Sequence, residues 1–596
     1  MIRLADYVIQ FLESKRINTV FTVSGGGSIF LCDALYKAKK LKYIACHHEQ
    51  AVAYATEGFA RVKNKPGAAV VTTGPGGTNA ASGVACCWID SVPAIFISGQ
   101  VFLNQTIGNS GVRQIGVQEF DIVSMVKSST KYAVIVKKPE DIKFHLEKAY
   151  HLSTTGRPGP VWIDIPANIQ NAKIELKKLK GFKETSKIKN QNLLDKKIKL
   201  VAKALCKHDR PLIHLGRGVK ISNSEKIFKK FIKKFNIPFV VTWNADDFVD
   251  SNQPMYFGKP GAFGSRGSNF IVQNCNLYLS IGTRLPYMVT GYDVKGFAKR
   301  AKTKIMVDID PKELNKKDLQ MNIKIKSDAR YFLEKLYKYM KNFKRNSKWI
   351  NYCKKTRNKY PIVLDSMKKQ KKYINSYYFV NVLSELLNKK DVIITDMGFS
   401  FTTSHQTLEA KGGQKFHTNS GHAPMGWGLP ASVGAYYAGE KKNRIICLTG
   451  DGGFQLNIQE LATIQHNKIP IKIFIFNNRG YLTIKQTQQL GFDGRIMGAD
   501  KKSGLTFPNY KKISESHQMK YFKFNSNKNL KSNLKKAINA QGSSICELVM
   551  DPNEEQIPKA INKRGPKGKS IPTKLEDMYP FLSKQELNSN NYERDQ

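Results

Sequence analysis

Paired cysteines, long apolar runs and an N-terminal leader pattern are all missing from this sequence. Its nine cysteines are scattered and show no CxxC spacing, which argues against a disulfide framework and against a structural zinc site. No apolar run reaches the ~18 residues that a membrane helix needs, and the N-terminus lacks the apolar core of a signal peptide. We therefore expect a protein of the reducing cytoplasm with no membrane partner.

Acidic residues are scarce beside basic ones, 47 against 96, and the formal net charge is +49. Such an excess raises the possibility of a nucleic-acid-binding protein. Only 18 of the basic residues are arginine, the side chain that nucleic-acid readers use for bidentate and stacking contacts. We interpret the dispersed lysine as solvated surface and expect no nucleic-acid partner. A basic binding protein on a degenerate enzyme scaffold is the alternative, which a salt-resistant mobility shift would revive.

Strand-like apolar runs alternate with helical patterns along almost all of the 596 residues, as in "GAAVVTT", "PVWIDIP", "LYLSIG" and "RIICLTG". This alternation predicts an α/β fold with three doubly wound parallel-sheet domains. A lysine- and asparagine-rich stretch at 172–192 and a charged stretch at 341–372 separate the domains. The predicted boundaries are 1–171, 193–340 and 373–552, followed by a polar tail or lid at 553–596.

One βαβ unit, "RIICLTGDGGFQLNIQELATIQHNKIPIKIFIFNNRGY", carries the strongest chemical signal. Ligands of parallel sheets bind beyond the carboxyl ends of the strands, and these two strands end at Asp451 and Asn478. One carboxylate and one amide oxygen suit Mg²⁺. Phosphate oxygens and water then complete the coordination shell of the ion. Backbone N–H groups of Gly452 and Gly453 are placed to receive those phosphates. A tight turn closed by glycines is the alternative for GDG by itself.

The interval from GDG to NN resembles the diphosphate–magnesium motif of the thiamine-diphosphate enzymes. Long motifs in the family's order narrow the resemblance to the acetolactate synthase group and its large, catalytic subunits: "HHEQAVAYATEGFARV", "TTGPGGTNAASGVACCWIDSVPAIFISGQ" and "GHAPMGWGLPASVGA". The resemblance implies a pyrimidine-binding, a central Rossmann-like and a diphosphate-binding domain. It also implies a homodimer or homotetramer, because the family builds each active site from two subunits.

The resemblance assigns roles to residues on both sides of that site. It implies that Asp451, Asn478 and the Gly480 carbonyl bind Mg²⁺. Glu49 matches the glutamate that shares a proton with the cofactor's pyrimidine ring; a helix-start glutamate is the alternative. Met425 matches the side chain that bends the cofactor, although a core methionine would look the same. The other positions carried over for thiamine diphosphate are Pro75, Gly398, Ala423, Gly450, Gly452 and Gly453.

The two histidines before Glu49 first suggest a metal site. Adjacent histidines in an extended segment face opposite ways, which makes joint ligation awkward. His48 fits the family position just before the glutamate, where the histidine is not a ligand. We expect His47 to be a packing residue.

The middle region, with "HLGRGV", "SIGTRL" and "VDIDPKELNK", resembles the flavin-binding domain of acetolactate synthases. The resemblance implies FAD as a second cofactor, held by Gly216, Gly218, Arg284 and Asp308. Some relatives use this domain for ADP or leave it empty, and a bare Rossmann-like domain is the alternative.

Substrate positions are less regular. Gln118 and Lys131 match family positions near the substrate, with ordinary surface residues as the alternative, and His422 is an outlier beside the cofactor motif. The acceptor side departs from the family: Met288 replaces an arginine and Thr487 a tryptophan. We expect decarboxylation of a 2-keto acid, with pyruvate as the leading donor, and carboligation to a second carbonyl. Acetyl transfer to a keto-sugar nucleotide and simple 2-keto acid decarboxylation are the alternatives.

Overall fold

Three separate sheets of parallel strands, flanked by helices, form the body of the protein. The computed structural model describes residues 1–184, 191–564 and 570–592. The predicted α/β class with three parallel-sheet domains is confirmed. None of the helices within the described ranges is both long and apolar enough to cross a membrane.

The first sheet contains six parallel strands between residues 19 and 166. The elements of this region are β1 (Ile2–Arg3), α1 (Leu4–Ser14), β2 (Thr19–Thr22), α2 (Ile29–Lys37), β3 (Lys42–Ala45), α3 (Glu49–Lys63), β4 (Gly67–Val71), α4 (Pro75–Ile89), β5 (Ala94–Gln100), α5 (Ile122–Val126), β6 (Ala133–Ile135), α6 (Ile142–Thr154), β7 (Pro160–Pro166), α7 (Ala167–Asn171) and β8 (Lys173–Ile174). The spatial order is β3–β2–β4–β5–β7–β6, while β1 and β8 pair separately. The order reverses between β2 and β4, where such sheets bind ligands.

The middle sheet contains five parallel strands. Its region comprises α8 (Gln191–Lys207), β9 (Pro211–Leu215), α9 (Gly218–Ile221), α10 (Glu225–Phe235), β10 (Phe239–Val241), α11 (Arg266–Asn274), β11 (Leu277–Ile281), α12 (Tyr287–Thr290), β12 (Thr303–Asp308), α13 (Pro311–Leu314), β13 (Ile323–Lys326), α14 (Ala329–Tyr339), α15 (Ser347–Lys359) and α16 (Asp365–Lys369). The order is β10–β9–β11–β12–β13, so the reversal lies between β9 and β11.

The third sheet again contains six parallel strands. The remaining elements are α17 (Ser376–Leu386), β14 (Val392–Thr395), α18 (Phe399–Thr407), β15 (Lys415–His417), α19 (Gly428–Ala438), β16 (Ile445–Gly450), α20 (Asp451–Leu456), α21 (Glu460–His466), β17 (Lys472–Asn477), α22 (Leu482–Gly491), α23 (Tyr510–Ser516), β18 (Lys520–Phe524), α24 (Leu530–Asn539), β19 (Ser544–Val549), β20 (Asn562–Arg564), β21 (Ser570–Pro572) and α25 (Lys584–Ser589). The order is β15–β14–β16–β17–β19–β18, with the reversal between β14 and β16.

The helices α3 and α19 join the first and third regions in one apolar core. Both are rich in small residues, and two glycines let their backbones approach closely. A Cβ atom at Gly58 would lie 2.2 Å from the Ala431 carbonyl oxygen, and one at Gly434 would lie 1.9 Å from the Ala55 carbonyl oxygen. Any larger residue at either position would separate the helices.

The described part of the polar tail packs against the middle region. Asn269 donates a hydrogen bond to the Leu575 carbonyl at 2.9 Å, and Arg266 donates one to the Pro580 carbonyl at 2.6 Å. Leu575 and Met578 are buried. These contacts tie the tail to α11, whereas the domain boundaries and a lid function stay predictions.

Candidate cofactor site

Asp451 and Asn478 leave the third sheet at the same edge. They follow the neighbouring strands β16 and β17, whose register pairs Gly450 with Phe476. Asp451 is buried, and its carboxylate accepts hydrogen bonds from the N–H groups of Gly452 and Gly480, both at 3.1 Å. Burial raises the pKa of Asp451 to about 7 against those hydrogen bonds. An added positive charge at this edge would therefore favour the ionised carboxylate.

Asn478 presents an amide oxygen that has no hydrogen-bond partner within the described ranges, although it is buried. Buried polar atoms are rarely left unpaired, and each exception needs an explanation. A carboxylate and a free amide oxygen at one sheet edge match the ligand preference of Mg²⁺. The residues present therefore fit the predicted metal, and the neighbouring Arg479 has a left-handed backbone (φ +62°) that shapes the turn to Gly480.

Met425 and the GDG turn meet at the reversal point of the third sheet. A Cβ atom at Gly452 would lie 2.7 Å from the Met425 methyl group and 2.0 Å from the Tyr481 ring. Glycine is therefore required where these two side chains converge. Ala423, two residues before Met425, is held in the left-handed region (φ +61°). Such strain in a non-glycine residue clusters at functional sites. Neither the strained backbone of Ala423 nor the position of Tyr481 could be predicted from the sequence motifs.

Asp396 is a site residue that sequence reasoning missed. It follows β14, is buried, and accepts hydrogen bonds from the Met397 N–H at 2.7 Å, the Thr449 hydroxyl at 3.0 Å and the Gly426 N–H at 3.2 Å. Burial raises its pKa to about 6, while these donors oppose the rise. Asp396 thus connects the ends of β14 and β16 to the segment that carries Met425. An acidic residue at a strand end, as in "TDMG", is the signal that would have found it.

The predicted cofactor glycines occupy the same crevice. Gly398 (φ +88°) precedes α18 and has no atom within 4 Å of a hypothetical Cβ. Gly450 has the same open space. A Cβ atom at Gly453 would lie 2.5 Å from Asp396, so its backbone lies against the buried carboxylate. These placements leave room at the strand ends, and the roles of the glycines in binding stay predictions.

Glu49 begins α3, as the helix-start reading of the motif requires. Its carboxylate accepts a hydrogen bond from the Asn79 side chain at 3.0 Å. His48 is the N-cap: its ring nitrogen accepts from the Gln50 N–H at 3.0 Å. The His47 N–H donates to Glu460 at 3.0 Å. The described ranges hold no group of three His, Cys, Asp or Glu side chains suited to a metal. His48 has an N-capping role, whereas the His47 side chain is exposed and its packing role stays a prediction.

Gln118 lies beside the glycine-rich loop that ends at Pro75, the first residue of α4. A Cβ atom at Gly74 (φ +57°) would lie 2.3 Å from the Gln118 carbonyl oxygen, and Gln118 itself is left-handed (φ +61°) and exposed. The buried Gln100 side chain ties the segment of Gln118 to that loop, because it donates to the Phe120 carbonyl at 3.0 Å and accepts from the Thr73 hydroxyl. The fold therefore brings Gln118 and the glycine-rich loop together.

The other predicted substrate residues are more dispersed. The Lys131 ammonium donates to the carbonyls of Thr155 and Arg157 at 2.7 and 2.8 Å, and burial lowers its pKa to about 8. Thr487 is exposed on α22, where its hydroxyl donates to the Thr483 carbonyl. His422 is exposed beside the cofactor segment. Their substrate roles stay predictions.

A cavity of about 430 Å³ lies at the reversal point of the middle sheet. Gly218, Arg284 and Asp308 line it, as does Met288. Gly216 packs below, where a Cβ atom would lie 2.3 Å from the Gly282 carbonyl oxygen.

Arg217, a cation that sequence reasoning missed, also lines the cavity. Its guanidinium is buried, and its Nε and one Nη have no partner within the described ranges. Burial, followed by repulsion from Arg61, lowers its pKa to about 10. A buried guanidinium beside a cavity favours an anionic ligand such as a diphosphate.

Comparisons with known proteins cover all three regions. Family models described as "Thiamine pyrophosphate enzyme" match as the N-terminal TPP binding domain at 2–125, the central domain at 198–336 and the C-terminal TPP binding domain at 396–548. A Methanocaldococcus jannaschii protein named "Probable acetolactate synthase large subunit" is 33% identical over 92% of each chain. The Escherichia coli acetolactate synthase isozyme 2 large subunit is 31% identical over 82% of this chain and 86% of its own. The Lactococcus lactis acetolactate synthase large subunit is 29% identical over 93% of each.

Proposed function

This chain belongs to the thiamine pyrophosphate enzyme family, and from that membership we propose that it is an acetolactate synthase-like enzyme. The family resemblance of the sequence is confirmed, as is the prediction of a thiamine-diphosphate-dependent enzyme. In this proposal the enzyme decarboxylates a 2-keto acid, pyruvate in the first instance, and joins the two-carbon unit to a second carbonyl. Bound thiamine diphosphate supplies the electron sink for decarboxylation.

The unpaired amide oxygen of Asn478 at the sheet edge of Asp451 is the observation that carries the proposal. These two side chains and the Gly480 carbonyl would hold Mg²⁺, which leaves further positions for phosphate oxygens and water. On the first sheet, Glu49 would hold the proton that it shares with the pyrimidine ring. Asn79 orients the Glu49 carboxylate for that exchange.

FAD is the proposed occupant of the central cavity. The Arg217 guanidinium lines the cavity and supplies a positive charge for a diphosphate, and the Asp308 carboxylate at the end of β12 suits a ribose hydroxyl. The absorption spectrum of the purified protein tests this assignment. A flavin spectrum supports it, whereas ADP extracted from the protein or the absence of any nucleotide would contradict it.

A homodimer or homotetramer is the proposed assembly, with the first region of one subunit completing the third region of another. The support is grouped apolar exposure beside both halves of the site: Val112, Ile115, Val117 and Phe120 are exposed around Gln118, and Leu490, Phe492 and Met497 are exposed around the end of α22. Exposed apolar patches of this kind mark interaction surfaces. The reducing cytoplasm is the proposed location, because all nine cysteines are free thiols.

Acetyl transfer to a keto-sugar nucleotide is the second candidate function, because the acceptor positions depart from the family resemblance. Thr487 exposes a small side chain where the resemblance places a tryptophan, and its hydroxyl is already bonded within the helix. Met288 stands where the resemblance places a substrate-receiving arginine, so this position supplies no cation. A missing cation removes an obvious partner for an acceptor carboxylate.

Incubation of purified protein with thiamine diphosphate, Mg²⁺ and pyruvate tests the function. We expect CO₂ release and a carboligation product by mass spectrometry, with a chelated sample as the control. Parallel reactions with a panel of keto-sugar nucleotides identify the acceptor. Free aldehyde as the sole product would identify a simple decarboxylase. No CO₂ from pyruvate or any other 2-keto acid would overturn the proposal.

A further inference from the structure

The segment from Asn419 to Trp427 carries both Ala423 and Met425 between β15 and α19. Its backbone is strained, since Ala423 is held at φ +61°. A non-glycine residue stays in this conformation only where its surroundings over-determine it. The contacts at the two ends of the segment, together with the bond from the Gly426 N–H to Asp396, therefore decide where Met425 points.

Glu57 contacts both ends. This residue is fully buried on α3, two helical turns after Glu49. Its carboxylate accepts hydrogen bonds from the Asn419 amide at 2.9 and 3.0 Å and from the Trp427 indole at 2.7 Å. One carboxylate of the first region thus accepts hydrogen bonds from both the first and the last residue of a nine-residue segment of the third region.

Arg61 and Asp90 complete this hold. Arg61 donates to Glu57 at 2.6 and 2.8 Å and to Asp90 at 2.7 Å, and all three side chains are buried. A Cβ atom at Gly421 would lie 2.2 Å from Asp90, so the middle of the segment also rests on the network. Buried hydrogen-bond networks rigidify the elements that they join, and here only one Nη of Arg61 has no partner among the described residues of the network.

We propose that Glu57 is a positioning residue of the thiamine site: by holding Asn419 and Trp427, it keeps Ala423 left-handed and directs the Met425 side chain towards Gly452. Glu57 contacts neither the cofactor nor the substrate in this role and acts through the segment alone. The inference rests on the proposed function, because the importance of Met425 does. The hold itself exists in the protein without its cofactor.

Glu57→Gln tests the inference with little change in volume. The amide cannot accept from both Asn419 and Trp427 while it retains Arg61. We expect amide hydrogen exchange in peptides spanning 419–427 of the cofactor-free protein to rise by about 10- to 100-fold, the range expected when hydrogen bonds to a charged group are lost. We expect kcat to fall by a similar factor. Trp427→Phe removes one N–H without altering any charge. It should raise the exchange at 419–427 about tenfold and lower kcat about tenfold.

Glu554→Gln is the matched control. Glu554, at the start of the tail, is also a buried carboxylate, and it accepts from the N–H and hydroxyl of Ser376 in the third region rather than from the segment. It should lower the melting temperature without changing exchange at 419–427. If both Glu57→Gln and Trp427→Phe behave in this way, Glu57 is only a structural residue and the proposal fails. Faster exchange with unchanged kcat would also contradict the proposal, because the hold on the segment would then have no effect on catalysis through Met425.

The exchange measurement separates this inference from the proposed function. If Glu57→Gln does not fold, Trp427→Phe decides the outcome. If the wild type releases no CO₂ from any 2-keto acid, the proposed function fails. Independently of that result, unchanged exchange at 419–427 in both variants would overturn the positioning role of Glu57.

Discussion

The first and third sheets have the same strand order, 2-1-3-4-6-5 when each is numbered from its own first strand. Their edges nevertheless carry different chemistry. The third sheet ends in the buried carboxylates Asp396 and Asp451 and the amide of Asn478. The first sheet ends in the glycine-rich loop at Gly74 and the exposed Gln118. Topology therefore supplies the crevice in both cases, and the residues after the strands determine what can bind there.

The comparison extends to the helices that connect the strands. The helix α3 follows the second strand of the first sheet, and α19 follows the second strand of the third. These equivalent helices pack on each other through Gly58 and Gly434. Glu49 begins one of them, and Met425 lies three residues before the first residue of the other. The two predicted cofactor-directing residues thus occupy equivalent places in two halves with different tasks.

Asp451→Asn should produce the largest effect, because it removes the only carboxylate assigned to the metal. We expect Mg²⁺ affinity to fall by at least about 100-fold, the upper end of what losing an outer-shell partner costs. Turnover should disappear at metal concentrations that saturate the wild type. Titration calorimetry with Mg²⁺ and thiamine diphosphate measures the binding. Wild-type affinity in the variant would contradict the metal site on the third sheet.

Glu49→Gln should lose chemistry but keep binding, since the first sheet supplies no predicted metal ligand. We expect kcat to fall by about 10²- to 10⁴-fold, the usual contribution of general acid–base catalysis. Binding of Mg²⁺ and thiamine diphosphate in the same titration should change little. Asp451→Asn is the contrasting variant, and near-normal turnover in Glu49→Gln would disprove the role of Glu49.

Gly434→Ala should separate the two equivalent helices, because its Cβ would lie 1.9 Å from a carbonyl oxygen of α3. We expect the free energy of unfolding to fall by about 1–3 kcal/mol, the usual cost of overpacking. Gly58→Ala, on the facing helix α3, should lower the free energy of unfolding by a comparable amount. Gly491→Ala is the control, since its Cβ would meet open space. Thermal unfolding compares them, and equal stability of Gly434→Ala and Gly491→Ala would disprove the close crossing.

Asp164→Asn should have the smallest effect, visible as a pH dependence of stability. Asp164 is buried inside β7, and burial raises its pKa to about 7 against hydrogen bonds from Ser98 and Gln100. The folded state therefore binds more protons than the unfolded state between about pH 4 and 7, and stability falls as the pH rises through that window. Relative to the wild type, the variant should gain melting temperature from pH 5 to 8. A loss over that range would contradict the raised pKa.

Local pattern was enough to predict the fold class and the residues at the strand ends. The strand "RIICLTG" and the strand before "NN" have to be neighbours in a βαβ unit, so Asp451 and Asn478 share an edge without knowledge of the rest. The sequence also places Glu49 at a helix start, because "HHEQ" stands between a strand-like run and a helical pattern. Asp396 lay within reach of the same rule, since it too follows a strand.

The sequence by itself determined the α/β alternation, the glycines at sharp turns and the acidic and amide groups at the strand ends, because these depend on neighbours within a few tens of residues. Only the tertiary structure decided that Glu57 grips Asn419 and Trp427, that Lys131 bonds to two carbonyls, and that the Asn478 oxygen has no partner among the described residues. Each of these outcomes depends on the packing of elements far apart in the chain. Side-chain hydrogen bonds over such separations form wherever packing brings donor and acceptor within about 3 Å, and no local pattern encodes that meeting.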